Sequence, residues 1–162
     1  MKKSAVMIML VLVSGCAKQV YKTGTICIEP FKTVNYRTSN PVDVKQDVVD
    51  MIGTQILPEL EKRILQQSKL KINECIKADF KLVGSVAKVD TVLTSVRKVG
   101  WVSNWVDTQR AFSVEVKCAL INNLDQKIID EFEKSGKRDN LEQTIDSLTD
   151  DIVGEIKYVK IK

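Results

Sequence analysis

Histidine is absent from this 162-residue chain, and with it the commonest general base and a leading metal ligand of proteins. Aromatics are scarce at 6% of residues, with only 2 Trp, so each tryptophan is worth locating. Glycine and proline number 7 and 3, and neither a low-complexity segment nor an internal repeat is visible. No apolar run reaches the ~20 residues that a membrane-spanning helix needs. Neither sign of charge dominates, with 25 Lys and Arg against 21 Asp and Glu. No basic cluster stands out, which argues against nucleic acid as a partner. A G-x-S-x-G elbow is missing, and a thiol would have no imidazole to activate it. No cysteine spacing resembles a zinc site, so neither a metal nor a dissociable cofactor is expected, and no enzymatic activity.

What is present begins at the N-terminus. Lys2 and Lys3 form a positive flank, and residues 5–13 form a short apolar stretch. Val13-Ser14-Gly15-Cys16 follows. This is the layout of a bacterial secretory signal, and the small residues before Cys16 resemble the lipobox of bacterial lipoproteins. The resemblance implies that residues 1–15 are removed and that the Cys16 thiol carries diacylglycerol, with an acyl chain on the new N-terminus. Two or more chains anchor stably, where one binds reversibly. Ala17 stands where lipoproteins retained in the inner membrane of enteric bacteria carry Asp, which favours the outer membrane, with the domain facing the periplasm. The remainder, roughly 150 residues, is the size of one ordinary domain, and Lys2 and Lys3 leave with the signal, so the charge balance moves closer to zero.

Residues 16–23 read as a lipidated N-terminus and polar tether, and residues 24–162 as a single α+β domain. Residues 24–31 read as a strand with Ile26 and Ile28 on one face, closed by Pro30. After a Thr-, Asn- and Ser-rich loop, Asp43 is a candidate N-cap. Val44, Val48, Met51, Ile52, Ile56, Leu60 and Ile64 then form a helical stripe. Pro58 should kink or restart that helix. Residues 68–77 read as a connector, 78–90 as a second strand, 91–99 as its continuation or a third, and 100–110 as a loop. Residues 111–121 alternate most strictly, with Phe112, Val114, Val116, Cys118 and Leu120 on one face. Residues 122–125 suggest a hairpin turn into a strand over 126–134. Asn140 with Gln143 three residues on begins a capping box for a helix striped by Leu141, Ile145, Leu148, Ile152, Ile156 and Val159. The order β-α-β-β-β-α predicts a mixed sheet of four to five strands with two helices on one face. Its first two strands should be parallel and the others antiparallel.

Two segments carry a further resemblance: ICIEPF at residues 26–31, and ADFKLVGSV at residues 78–86 with Ala78-Asp79 at its start and Gly84 at its centre. Both resemble the periplasmic α+β domains of penicillin-binding-protein activator lipoproteins, curli-secretion-channel lipoproteins and the N-terminal domain of the Tol-system propeller protein. Those are assembly, channel or regulator modules, so the resemblance implies the fold and a non-enzymatic role, and no catalytic residue carries over.

Candidate sites follow from this reading. Cys16 is the lipidation site. Trp101 and Trp105 are candidates for partner anchors, for contact with a membrane surface, or for core packing. Tyr36 and Arg37, in the polar loop from Thr33 to Asn40, are the other candidate contacts. An oxidising compartment permits one disulfide. The candidate pair is Cys75 with Cys118, Cys27 is the alternative partner, and one thiol is left over. Because alternation places Cys118 on an apolar face, a buried inert thiol is its simpler state. Asp146, Asp150 and Asp151 oppose the apolar stripe of the last helix and read as a solvated face. The expected function is a non-enzymatic binding, assembly or regulatory module of an envelope machine, its partners the membrane and another envelope protein. The alternative is a homo-oligomeric lipoprotein forming a ring or channel-associated scaffold.

Overall fold

A computed structural model describes residues 22–33, 35–39, 44–99 and 104–158, with the backbone alone described for 93–99 and 104–110. Seven elements follow one another: β1 (Thr23–Ile28), α1 (Gln46–Gln67), β2 (Lys69–Ile72), β3 (Phe80–Val99), β4 (Asn104–Asn122), β5 (Ile128–Arg138) and α2 (Leu141–Ile156). The strands form one mixed sheet in the order β2-β1-β3-β4-β5. β1 lies parallel to β2 and to β3, and the β3–β4 and β4–β5 pairs are antiparallel. Both helices pack on one face, as the sequence predicts.

Alternation sets that face. Ile26, Leu82, Val86, Val89, Val114, Val116, Cys118 and Leu120 point into the core, where they meet Ile52, Ile56, Leu60 and Ile64 of α1 and Ile145, Leu148 and Ile152 of α2. The stripe of α1 sits slightly rotated from the sequence expectation, with Val49 buried and Met51 exposed. An extra residue at Ala87, where the register shifts between Val86 and Lys88, keeps both Val86 and Val89 inside. Such a bulge restores the apolar face after a break in strict alternation.

Four local expectations change. Residues 69–72 are a strand, not a connector: Leu70 and Ile72 turn inward on a four-residue edge too short to stand out, and Lys69 and Lys71 alternate with them. Residues 104–110 are strand rather than loop, because β3 and β4 form one long hairpin whose ladder runs to Val99↔Asn104. Pairing with a neighbour overrides the weak local preference of Asp107, Gln109 and Arg110. α1 runs through Pro58 without a restart, and its N-cap is Lys45, which makes no side-chain capping bond; Asp43 lies outside the described residues. At α2, Asn140 does cap, its Oδ1 accepting from Gln143 N at 2.8 Å.

The last two helical turns of α1 are clasped to α2 by Arg63. Its guanidinium donates to Glu59 on its own helix at 2.8 Å, lies 3.4 Å from Asp146, and bonds Asp150. Asp150 also accepts from Gln67 at 2.8 Å. The expected solvated face is therefore only half exposed at Asp146 and Asp150, because the helices pack close enough for Arg63 to reach across.

Gly84 marks the tightest packing on the core face. A Cβ there would meet the Phe31 ring at 2.3 Å. Gly84→Ala should therefore destabilise the domain by about 1–3 kcal/mol in urea unfolding, and Phe31→Leu in the same chain should recover part of that loss; additive effects would show that the two positions do not share the space.

Candidate functional site

β3 is held on one edge by more than β1. After β1 ends, the chain continues along it: Lys32 bridges Ser85 and Arg37 bridges Lys88, both in the parallel sense. Lys32 N donates to Gly84 O at 3.0 Å and Val89 N to Arg37 O at 3.0 Å. The polar loop read from the sequence is thus an irregular edge laid against the sheet. Asp90 holds its far end. Only 7% exposed, its carboxylate accepts from Ser39 N at 2.6 Å and Ser39 Oγ at 3.2 Å and pairs with Lys88 at 2.9 Å. Burial opposes the charge, but the Ser39 N–H and the Lys88 ammonium outweigh it and hold Asp90 below the usual carboxylate range.

Tyr36 and Arg37 divide their roles here. Tyr36 packs partly against the core, whereas the Arg37 side chain is 73% exposed, its Nη2 4.0 Å from Glu115. Glu115 shares a hydrogen bond with Glu133 on the neighbouring strand, and this bond, with burial and the Glu133 charge, pushes its carboxyl up. Further along the same open face, Val83, Ser85, Lys117, Ala119, Glu131 and Glu133 border a shallow depression of about 530 Å3. Its charges pair with one another, Lys117 lying 3.9 Å from Glu133. Among the described residues no group of three or more Cys, Asp or Glu is placed to hold a metal.

Beyond this root no other described strand pairs with the β3–β4 hairpin. β5 pairs with β4 only as far as Phe112↔Arg138, while β3 and β4 stay paired to Val99↔Asn104. Trp105 belongs to this ribbon, in register with Lys98, about 30 Å along the strand from the Arg37–Lys88 bridge. Its side chain, like all of Trp101 and Cys16, lies outside the described residues. The described candidate contacts therefore do not form one cluster: Tyr36 and Arg37 mark the root of the ribbon and the backbone of Trp105 its distal part.

The disulfide joins Cys27 to Cys75, with Cα atoms 5.0 Å apart. This corrects the Cys75–Cys118 pairing. Cys27 shares a face with Lys81, its register partner, opposite the helices, and residues 73–79 cross β1 on that side to carry the chain from β2 to β3. Cys118 points the other way, into the core. It is a free thiol, and burial pushes it up to about 12. Asp79 closes the same crossover, accepting from Thr25 N at 2.7 Å and Thr25 Oγ1 at 2.8 Å. The backbone N–H of Thr25 is the main cause of its lowered pKa.

No protein-family model and no curated protein matches the chain. Solved structures of similar fold include a Helicobacter pylori protein described as a neuraminyllactose-binding hemagglutinin homolog, with 8% identity and a TM-score of 0.53 over 86% of this chain and 88% of that one. A Xanthomonas campestris protein of the DUF330 family has 11% identity and a TM-score of 0.49 over 86% and 85%. A minor lipoprotein from Acinetobacter baumannii has 10% identity and a TM-score of 0.39 over 82% and 91%. At 8% identity the likeness to the Helicobacter pylori protein is one of fold alone.

Two predictions follow from the bonds at this site. Replacing Cys27 and Cys75 together by Ser should lower stability by up to about 4 kcal/mol, the chain-entropy value for a loop of this length, and adding reductant to the wild type should move its urea midpoint the same way. Asp90→Asn should lose about 1–3 kcal/mol at pH 7. A lowered native pKa gives stability that is present above the unfolded value of 3.8 and is lost as pH falls through the native one. The gap between Asp90→Asn and wild type should accordingly hold from pH 7 to near the unfolded value of 3.8 and narrow as urea titrations are taken below it.

Proposed function

We propose that this chain is a lipid-anchored envelope protein facing the periplasm, and that it works by holding the β3–β4 ribbon out to another envelope protein in assembling or regulating a multiprotein machine. One observation carries the reading. The chain enters the domain at Lys22, immediately before β1, and β3 runs parallel to β1, so the ribbon extends from the end of the sheet opposite to the entry. A domain fixed at Cys16 would present the ribbon away from its anchor. The small residues before Cys16 support lipidation, and Ala17 after it supports the outer membrane. The covalent lipid is then the only non-protein group the function needs, and the chemistry of recognition falls to Trp101, Trp105 and the exposed Arg37 at the ribbon's root.

A homo-oligomeric scaffold is the second reading, supported by the ribbon's edges. Beyond Arg37 on one side and Phe112 on the other, no described strand pairs with them, and an open edge is a template for another strand.

Photo-crosslinking in cells separates the two. With a crosslinker replacing Trp105, a single adduct to one other envelope protein is the expected product, and Cys16→Ser, expressed behind a secretory signal whose cleavage needs no cysteine, should abolish it by releasing the chain from the membrane fraction. A ladder built only of this chain would establish the scaffold in its place, and membrane retention of Cys16→Ser would refute the anchor.

A further inference from the structure

The end of the sheet where the chain enters exposes several aliphatic side chains. Ile76 and Leu124 are each 94% exposed, Ile128 56% and Ile129 38%. Polar residues are the ordinary occupants of turns, so two bare aliphatic side chains at turn tips need a reason outside the fold.

The turns that carry them are bonded to one another. Asn123 Nδ2 donates to Cys75 O at 2.6 Å and to Ala78 O at 2.9 Å, and Asn123 N donates to Asp79 O at 2.9 Å. The crossover with Ile76 is further tied to β1 by the Cys27–Cys75 disulfide. The turn with Leu124 is closed by Asn122 N donating to Lys127 O at 2.8 Å. Phe80 is in register with both Ile26 and Asn122, which sets the two turns at the level of β1's first residues. β5 starts at the same level, Ile128 opposite Ile121.

We propose that this end is a membrane-contact surface, with Ile76 and Leu124 seated in the interfacial layer of the bilayer that holds the lipid on Cys16, and Ile128 beside them. The inference rests on the lipid anchor of the proposed function and adds an orientation to it. The tether limits the alternatives. Even fully extended, the chain from Cys16 to Lys22 spans at most about 20 Å, so the entry end of the sheet is kept close to the lipid headgroups. Shallow burial of apolar side chains at that boundary is favourable. The charges in the two turns neutralise one another locally, Lys77 with Glu74 at 2.9 Å and Lys127 with Asp125 at 3.7 Å. The surface therefore matches the apolar boundary of a bilayer and does not require a strongly anionic one.

The test uses the full chain, expressed with its signal and purified in lipidated form, in vesicles of phosphatidylethanolamine and phosphatidylglycerol. A nitroxide is attached at Leu124→Cys, and a control at Asp139→Cys, in the turn between β5 and α2 at the other end of the sheet. Cys118 stays unlabelled because it is buried with a raised pKa. Vesicle flotation and collision rates with oxygen and with a nickel chelate are measured together. The expected result is co-flotation, with the Leu124 label gaining oxygen collisions and losing nickel collisions severalfold relative to the Asp139 label. Co-flotation with both labels equally open to nickel overturns the contact surface while the anchor stands. Loss of both kinds of collision at Leu124 overturns it in favour of a protein cover. A chain that does not float overturns the anchor, and the surface with it. Ile128→Cys reads the same surface should the turn variant fail to fold.

Discussion

The structure depends on the two-sided hydrogen-bond ladder of β3. One edge of this strand takes all of β4, from Phe80↔Asn122 to Val99↔Asn104. The other takes β1, then the irregular segment bridged at Lys32 and Arg37. β2 and β5 attach only through β1 and β4, and the helices cover the face these strands share. Backbone groups left unpaired in a buried strand are expensive. The segment after β1 therefore has a structural duty, since it extends the paired length of β3 past the end of β1, and Asp90 secures its far end through Ser39.

The helical layer adds a second, polar form of cohesion. Ridges of aliphatic side chains fix the distance between α1 and α2, and Arg63 converts that distance into bonds to Glu59, Asp146 and Asp150. The cluster lies near the C-terminal end of α1, just before the chain turns at Ser68 into β2. Its effect is local: it secures the helix end from which the short edge strand departs.

Elements with regular patterns and tertiary support of their own were legible from sequence. Leu141, Ile145, Leu148, Ile152 and Ile156 of the α2 stripe, the Asn140 cap and the alternation of residues 111–121 reappear in place, while Val159 lies outside the described residues. Elements defined by a neighbour were not. Lys69–Ile72 is too short to show a period and exists because β1 lies beside it. The 104–110 stretch has mixed polarity and is strand because β3 continues opposite. The disulfide shows the same limit, since two cysteines far apart in sequence meet only through the crossover of residues 73–79. The segments that resemble periplasmic lipoprotein domains were more informative than their length suggests: Phe31 of the first rests on Gly84 of the second, and Asp79 of the second locks Thr25, just before the first. They are two halves of one contact region. Tyr36 and Arg37 were legible as polar-loop residues, but their separation from Trp105 follows from the length of the hairpin, which no local pattern encodes.

The parallel pairing of β1 with β3 has a mechanical consequence. A pull between Lys22 and the ribbon stretches the molecule along its strands. Neighbouring strands then slide past one another, and their interstrand bonds lie across the direction of force rather than along it. Bonds stressed in this shear geometry resist together, whereas a hairpin pulled open at its two ends yields one pair at a time. The direction in which the chain enters thus makes the sheet a clamp against traction from its far end, and leaves peeling of the edge strands as its softer mode of failure.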